Sequence, residues 1–116
     1  MIKLLTVIGA RPQFIKSAMI SRAVRAADGV EEVVVHTGQH FDPNMSDVFF
    51  DELQMERPAY NLGIGGGTHG QNTGRMLEAI ERVILDESPT AVVVYGDTDS
   101  TLAGALAAAK LCVPVV

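Results

Sequence analysis

Apolar positions along this chain follow two alternating rhythms. Ile2 to Ile8 is apolar almost throughout, with β-branched Ile2, Thr6, Val7 and Ile8, which predicts a strand buried on both faces. Gly9-Ala10-Arg11-Pro12 breaks that run. Pro12 suits a first helical turn, where a missing N–H costs nothing. Ile15, Met19, Ile20, Ala23 and Val24 then recur at helical spacing, and Asp28-Gly29 supplies a stop. Residues 32–37, with Val33, Val34 and Val35, predict a second strand. Residues 38–44 read as a loop, Met45, Val48, Phe49 and Leu53 as a short helix, and residues 58–67 as an irregular glycine-rich stretch. Thr68-His69-Gly70-Gln71 has the form of a capping box. Its helix carries Met76, Leu77, Ile80, Val83, Ile84 and Leu85 and is closed by Pro89. Residues 91–95 predict a third strand, Gly96-Asp97-Thr98 leads into an alanine-rich helix running to about Lys110, and residues 113–116 predict a fourth strand. That last stretch ends without a turn or cap, so the expectation is a chain cut short.

Strands alternating with helices imply right-handed βαβ units. The fold class is therefore α/β: a Rossmann-like three-layer parallel sheet with helices on both faces. Ligands of such sheets bind at the carboxyl ends of the strands, near the point where strand order reverses. The loops to search are residues 9–12, 38–44 and 96–100. A length of 116 residues allows one domain. The net charge of −5 excludes a basic nucleic-acid surface but not a nucleotide, which one or two placed cations and backbone N–H groups can hold. Cys112 is the single cysteine, so no internal disulfide can form, which fits a reducing compartment. No apolar run reaches membrane-spanning length, and Arg11 and Pro12 interrupt the one stretch that imitates a signal peptide. The expected location is the cytoplasm, with no membrane partner.

In the first loop, Gly9 lets a ligand approach the backbone, the helix start favours an anion, and Arg11 offers a fork of donors for phosphate. A tight turn with a solvated arginine reads the same residues equally well. No G-x-G-x-x-G is present, so a nicotinamide cofactor is not expected. Lys16 either faces the same anion or is a surface lysine. Asp97, where the third strand ends, suits a general acid or base if its pKa is raised; its plainer reading is a helix N-cap. Asp97 and Asp99 could also hold a divalent cation, although acidic pairs are common at helix starts. His36 reads as a strand-end histidine, His40 as a ligand contact, and His69 as part of its helix cap. His36 and His40 stand four residues apart, which shares a face only in a helix; Thr37-Gly38 argues against one, and no thiol pair supports zinc. Gly63 to Gly67 lacks a P-loop lysine and reads as a mobile loop able to close over a site.

Taken together, Gly9-Ala10-Arg11-Pro12-Gln13-Phe14-Ile15-Lys16, Thr37-Gly38-Gln39-His40 and Tyr95-Gly96-Asp97-Thr98 resemble, in order and spacing, the motifs of the non-hydrolysing UDP-N-acetylglucosamine 2-epimerases. The resemblance implies the N-terminal half of a GT-B-type two-domain enzyme. Residues 1–116 would be a partial N-terminal domain, and the C-terminal nucleotide-binding domain would be absent from this chain. It implies removal of the C2 proton with expulsion of UDP, a 2-acetamidoglucal intermediate, and re-addition with inverted C2. Asp97 would be the acid/base and Arg11 the cation on the diphosphate. Lys16, Gln39 and His40 would be further substrate contacts, the last two in some members at a regulatory sugar-nucleotide site. The partner implied is a UDP-sugar, with no metal or other cofactor, and the full-length protein would be a homodimer. A fragment ending at Val116 is expected not to turn over.

Two departures stand out: Asp99 where many members have Thr, and Gln13 where many have Glu. Residues 44–50 and 63–69 look more like the subgroup acting on UDP-2,3-diacetamido-glucuronate, which stands as the alternative substrate. Three rivals remain. A GT-B-type glycosyltransferase would share the nucleotide-binding logic. A phospho-receiver domain would need an acidic cluster after the first strand, where this chain has Arg11. A short inactive chain that binds UDP-sugars weakly is the third.

Overall fold

The computed structural model describes residues 2–9, 11–38, 58–96 and 98–116, apart from the side chains of residues 11, 12 and 14. The helix expected from Met45 to Leu53 lies outside them. Strand β1 (Ile2–Ile8) leads through Gly9 into helix α1 (Arg11–Ala26) and strand β2 (Val30–His36). The short strand β3 (Tyr60–Asn61), helix α2 (His69–Glu87), strand β4 (Ala91–Val94) and helix α3 (Asp99–Lys110) follow.

All strand pairs are parallel, in the order β3-β2-β1-β4. Val115 extends the sheet beyond β4 through a parallel bridge to Val92, so the fourth expected strand is present as a single bridge. The chain builds outward from β1 to β2 and β3, then returns to the other side of β1. Strand order therefore reverses between β1 and β4. Strand β3 falls where an irregular stretch was expected. Two residues carry no readable alternation, and Tyr60 and Asn61 are extended because they pair with Val35 and His36.

One sheet face packs under α2 and α3. Leu5, Val7, Val35 and Val92 meet Met76, Ile80, Val83 and Ile84 of α2 and Ala103, Ala107 and Ala108 of α3. Small residues let α3 approach closely: a Cβ at Gly104 would sit 3.1 Å from Val94 and 3.2 Å from Val7. The capping box forms as expected, with the Thr68 hydroxyl accepting from Gln71 N–H and the Gln71 side chain accepting from Thr68 N–H.

Helix α1 covers the opposite face, and its packing departs from its apolar rhythm. Ile15, Met19 and Ile20 are exposed, whereas Gln13, Ser17, Ala18 and Ser21 are buried. The sheet face beneath explains this. Thr6 and Ser21 hydroxyls both donate to the Glu32 carboxylate, so the interface is a small-residue, hydroxyl-lined contact around a half-buried charge.

Candidate functional site

The reversal between β1 and β4 puts Gly9 beside Tyr95 and Gly96, and one side chain joins them. Gln13, 5% exposed, lies one helical turn beyond Gly9. Its carbonyl oxygen accepts the Gly9 N–H at 2.8 Å. Its amide nitrogen donates to the Tyr95 carbonyl at 2.7 Å and to the Thr98 hydroxyl at 3.0 Å. Gly9 supplies a donor and Tyr95 an acceptor, so the orientation of the carboxamide is set by its partners. The Tyr95 carbonyl also accepts from the Thr101 hydroxyl, which ties the strand end to the first turn of α3. Gly96 makes the turn with φ +76°, a conformation that favours glycine.

Beneath this junction lies a buried hydroxyl pair. Thr37, at the exit of β2, and Ser100, in the first turn of α3, share a hydrogen bond of 2.8 Å, and Ser100 also reaches the Met76 sulfur. The ends of β1 and β2 and the start of α3 are thus packed into one floor. Beside it, Leu62 N–H donates to His36 O and Ile64 N–H to Thr37 O. Gly38 has φ +88°, and a Cβ there would meet Ile64 N at 2.9 Å. The beginning of the glycine-rich stretch is therefore hydrogen-bonded to the exit of β2, which is not the arrangement of a detached closing loop.

Of the residues singled out from the sequence, Lys16 is exposed on α1. Arg11 opens α1, with its side chain outside the described residues, and Gln39, His40 and Asp97 also lie outside them. His36 is a buried strand-end histidine, as expected, and burial lowers its pKa. Two cap assignments need correcting. The N-cap of α3 is Thr98, not Asp97, and its hydroxyl makes no cap bond to the helix but accepts from Gln13. His69 is the first residue of α2 rather than part of its cap. Its ring points outward, 2.9 Å from the Asp99 carboxylate, which raises the imidazole pKa by hydrogen bonding and then by charge. This pair joins the starts of α2 and α3 at the rim of the junction. It also engages the carboxylate that a cation between Asp97 and Asp99 would need. Among the described residues, no three His, Cys, Asp or Glu side chains gather in a way that could hold a metal ion. A cavity of about 290 Å³ lined by Ser21, Arg25, Val30 and Glu32 sits beside the start of β2, away from the carboxyl ends where ligands of such sheets bind.

Gln13 was not singled out from the sequence as a site residue. The available signal was the spacing of Gln13, Ser17 and Ser21, a polar stripe on the helix face opposite the apolar one.

Comparison with known proteins agrees with this architecture. The family model described as UDP-N-acetylglucosamine 2-epimerase matches residues 22–116. The UDP-2,3-diacetamido-2,3-dideoxy-D-glucuronate 2-epimerase of Pseudomonas aeruginosa is 62% identical over 113 residues, which are 97% of this chain and 32% of that protein. The crystal structure of Methanocaldococcus jannaschii UDP-GlcNAc 2-epimerase in complex with UDP-GlcNAc and UDP superposes with a TM-score of 0.92 at 48% identity, over 99% of this chain and 32% of that one. A Streptomyces glycosyltransferase superposes at 0.64 with 17% identity over 99% of this chain and 38% of that one, a likeness of fold alone. The chain spans about a third of the length of the two epimerases. It shares the Rossmann-like, GT-B-type fold, and with a family model matched along most of its length and a relative of such high identity, the chain belongs to the UDP-N-acetylglucosamine 2-epimerase family.

Proposed function

We propose that this chain is the N-terminal part of a two-domain UDP-sugar 2-epimerase. In this reading the protein inverts C2 by eliminating UDP to a 2-acetamidoglucal and adding it back. The observation that carries it is the junction at the strand reversal, where the turn leading into Arg11 and the turn leading into Asp97 are fastened together by Gln13. Asp97 would take and return the C2 proton, and Arg11 would stabilise charge on the departing diphosphate. Lys16, Gln39 and His40 would make the weaker substrate contacts. Residues 1–116 would be inactive alone, because the second domain supplies the other wall of such a site. A cytoplasmic homodimer is the expected state of the complete enzyme.

UDP-N-acetylglucosamine is the first substrate to test. The 62% identity to the P. aeruginosa enzyme favours a second reading, UDP-2,3-diacetamido-glucuronate. The test joins residues 1–116 to the remaining two thirds of the P. aeruginosa relative and follows the sugar C2 proton by NMR in deuterated buffer. Loss of the signal, with a product inverted at C2, is the expected result, and Asp97→Asn should abolish it. A sugar nucleotide that binds and keeps its C2 proton, with either substrate, would refute the epimerase reading and favour glycosyl transfer.

A further inference from the structure

Helix α1, which opens with Arg11, covers one face of the sheet, and α2 and α3 cover the other. The starts of α2 and α3 are joined by one ion pair. His69, the first residue of α2, places Nδ1 2.9 Å from the carboxylate of Asp99, the first residue of α3. The His69 side chain is 94% exposed, and its Nε2 makes no hydrogen bond among the described residues. The carboxylate thus fixes one edge of the ring and leaves the other to solvent, at the end of the sheet where ligands of this fold bind. We infer that His69 is a specificity-determining residue that binds the carboxylate of a UDP-uronate sugar, with Asp99 orienting its ring. This inference rests on the second substrate reading above.

The two faces of the sheet select the anion. The diphosphate is assigned to Arg11, at the start of the helix on the opposite face, so an anion at His69 is a different group. UDP-2,3-diacetamido-glucuronate carries one, the sugar carboxylate; UDP-N-acetylglucosamine has a neutral hydroxymethyl group in its place. Asp99 suits the ring to this task. With Nδ1–H donated to Asp99, protonation at Nε2 creates an outward N–H that carries positive charge, a charge-assisted donor for a carboxylate oxygen. The hydrogen bond to Asp99, and then the charge of that carboxylate, raises the imidazole pKa, so this form persists to higher pH. Among the described residues, Asp99 is the charged group that acts on the ring.

The experiment uses the same chimera with UDP-2,3-diacetamido-glucuronate. The exposed ring can be removed without disturbing the packing of α2. His69→Ala should raise KM for the uronate about tenfold, the scale of one hydrogen bond to a charged group, with kcat within about threefold. The inhibition constant of UDP, which carries no sugar, should stay within about twofold. In the unsubstituted chimera kcat/KM should fall as pH rises through the raised imidazole pKa. Asp99→Asn should move that fall down toward the ordinary value of 6.5, and His69→Ala should lack it. A KM for the uronate unchanged in His69→Ala overturns the inference while C2 exchange leaves the epimerase reading intact. UDP inhibition weakened as much as uronate binding also overturns it, because His69 would then serve the diphosphate. A chimera that exchanges the C2 proton of UDP-N-acetylglucosamine and never that of the uronate overturns the inference alone. Exchange with neither sugar overturns the proposed reaction as well.

Discussion

Gly9 has an ordinary backbone conformation, so its side chain is excluded by neighbours rather than by φ. A Cβ built there would overlap the Ser100 and Thr37 hydroxyls, the pair that forms the floor of the junction. Gly9→Ala must therefore separate that pair or shift the end of β1. Overpacking of this kind costs about 1–3 kcal/mol. In urea unfolding the Gly9→Ala chain should show a lower midpoint at an unchanged slope. A midpoint equal to that of the unsubstituted chain would mean that the hydroxyls move aside freely. Gly9 was legible from sequence as a place of close approach, but a ligand was the expected visitor. The atoms that occupy the space are the protein's own, from segments about 30 and 90 residues away, so no local pattern could have named them.

At the scale of elements, the two C-terminal helices begin in different ways. Helix α2 closes its first turn with a reciprocal pair of bonds between Thr68 and Gln71. Both partners lie within four residues, so the motif can be read directly from the sequence. Helix α3 gives its cap hydroxyl away to Gln13. Thr68→Ala should cost about 1 kcal/mol of stability, the usual loss for a helix cap, measurable by urea unfolding. An unchanged midpoint would show that the packing of α2 holds the helix start without the box. The apolar rhythm of α1 predicted a helix correctly, but Ile15, Met19 and Ile20 face outward. Periodicity reveals that a stripe exists; which stripe turns inward depends on the partner surface, here Thr6 and Glu32.

Across the whole molecule, the end of α2 is held to the sheet by charge. Glu87 forms an ion pair with Lys3 of β1 at 2.7 Å and accepts from the Tyr60 hydroxyl of β3 at 2.6 Å. The Lys3 hydrogen bond, then that of Tyr60, lowers the Glu87 pKa, and the Glu87 hydrogen bond raises that of Lys3. For Glu87 the linked stabilisation is present above its ordinary value of 4.5 and is lost as pH falls through the lower folded value. For Lys3 it is full below 10.5 and is lost as pH rises through the higher folded value. Glu87→Gln should therefore lower the melting temperature at pH 7, and the gap from the unsubstituted chain should narrow below about pH 4.5. A gap of constant size down to strong acid would rule out the charge linkage.

What the sequence determined by itself is whatever depends on neighbours within a few residues: the alternation of strands and helices, the capping box, the glycine turns and the three motif loops. These follow from backbone geometry and side-chain periodicity, which act locally. The tertiary structure decided the rest. Parallel pairing places β1 between β2 and β4, which brings residues more than 80 positions apart into hydrogen-bond range. Only then does Gln13 become the fastening of the junction, Thr98 its acceptor and His69 the partner of Asp99. A polar side chain carries no mark of its distant partner in the sequence, because the partner is chosen by the path of the chain and the need to satisfy every buried donor and acceptor.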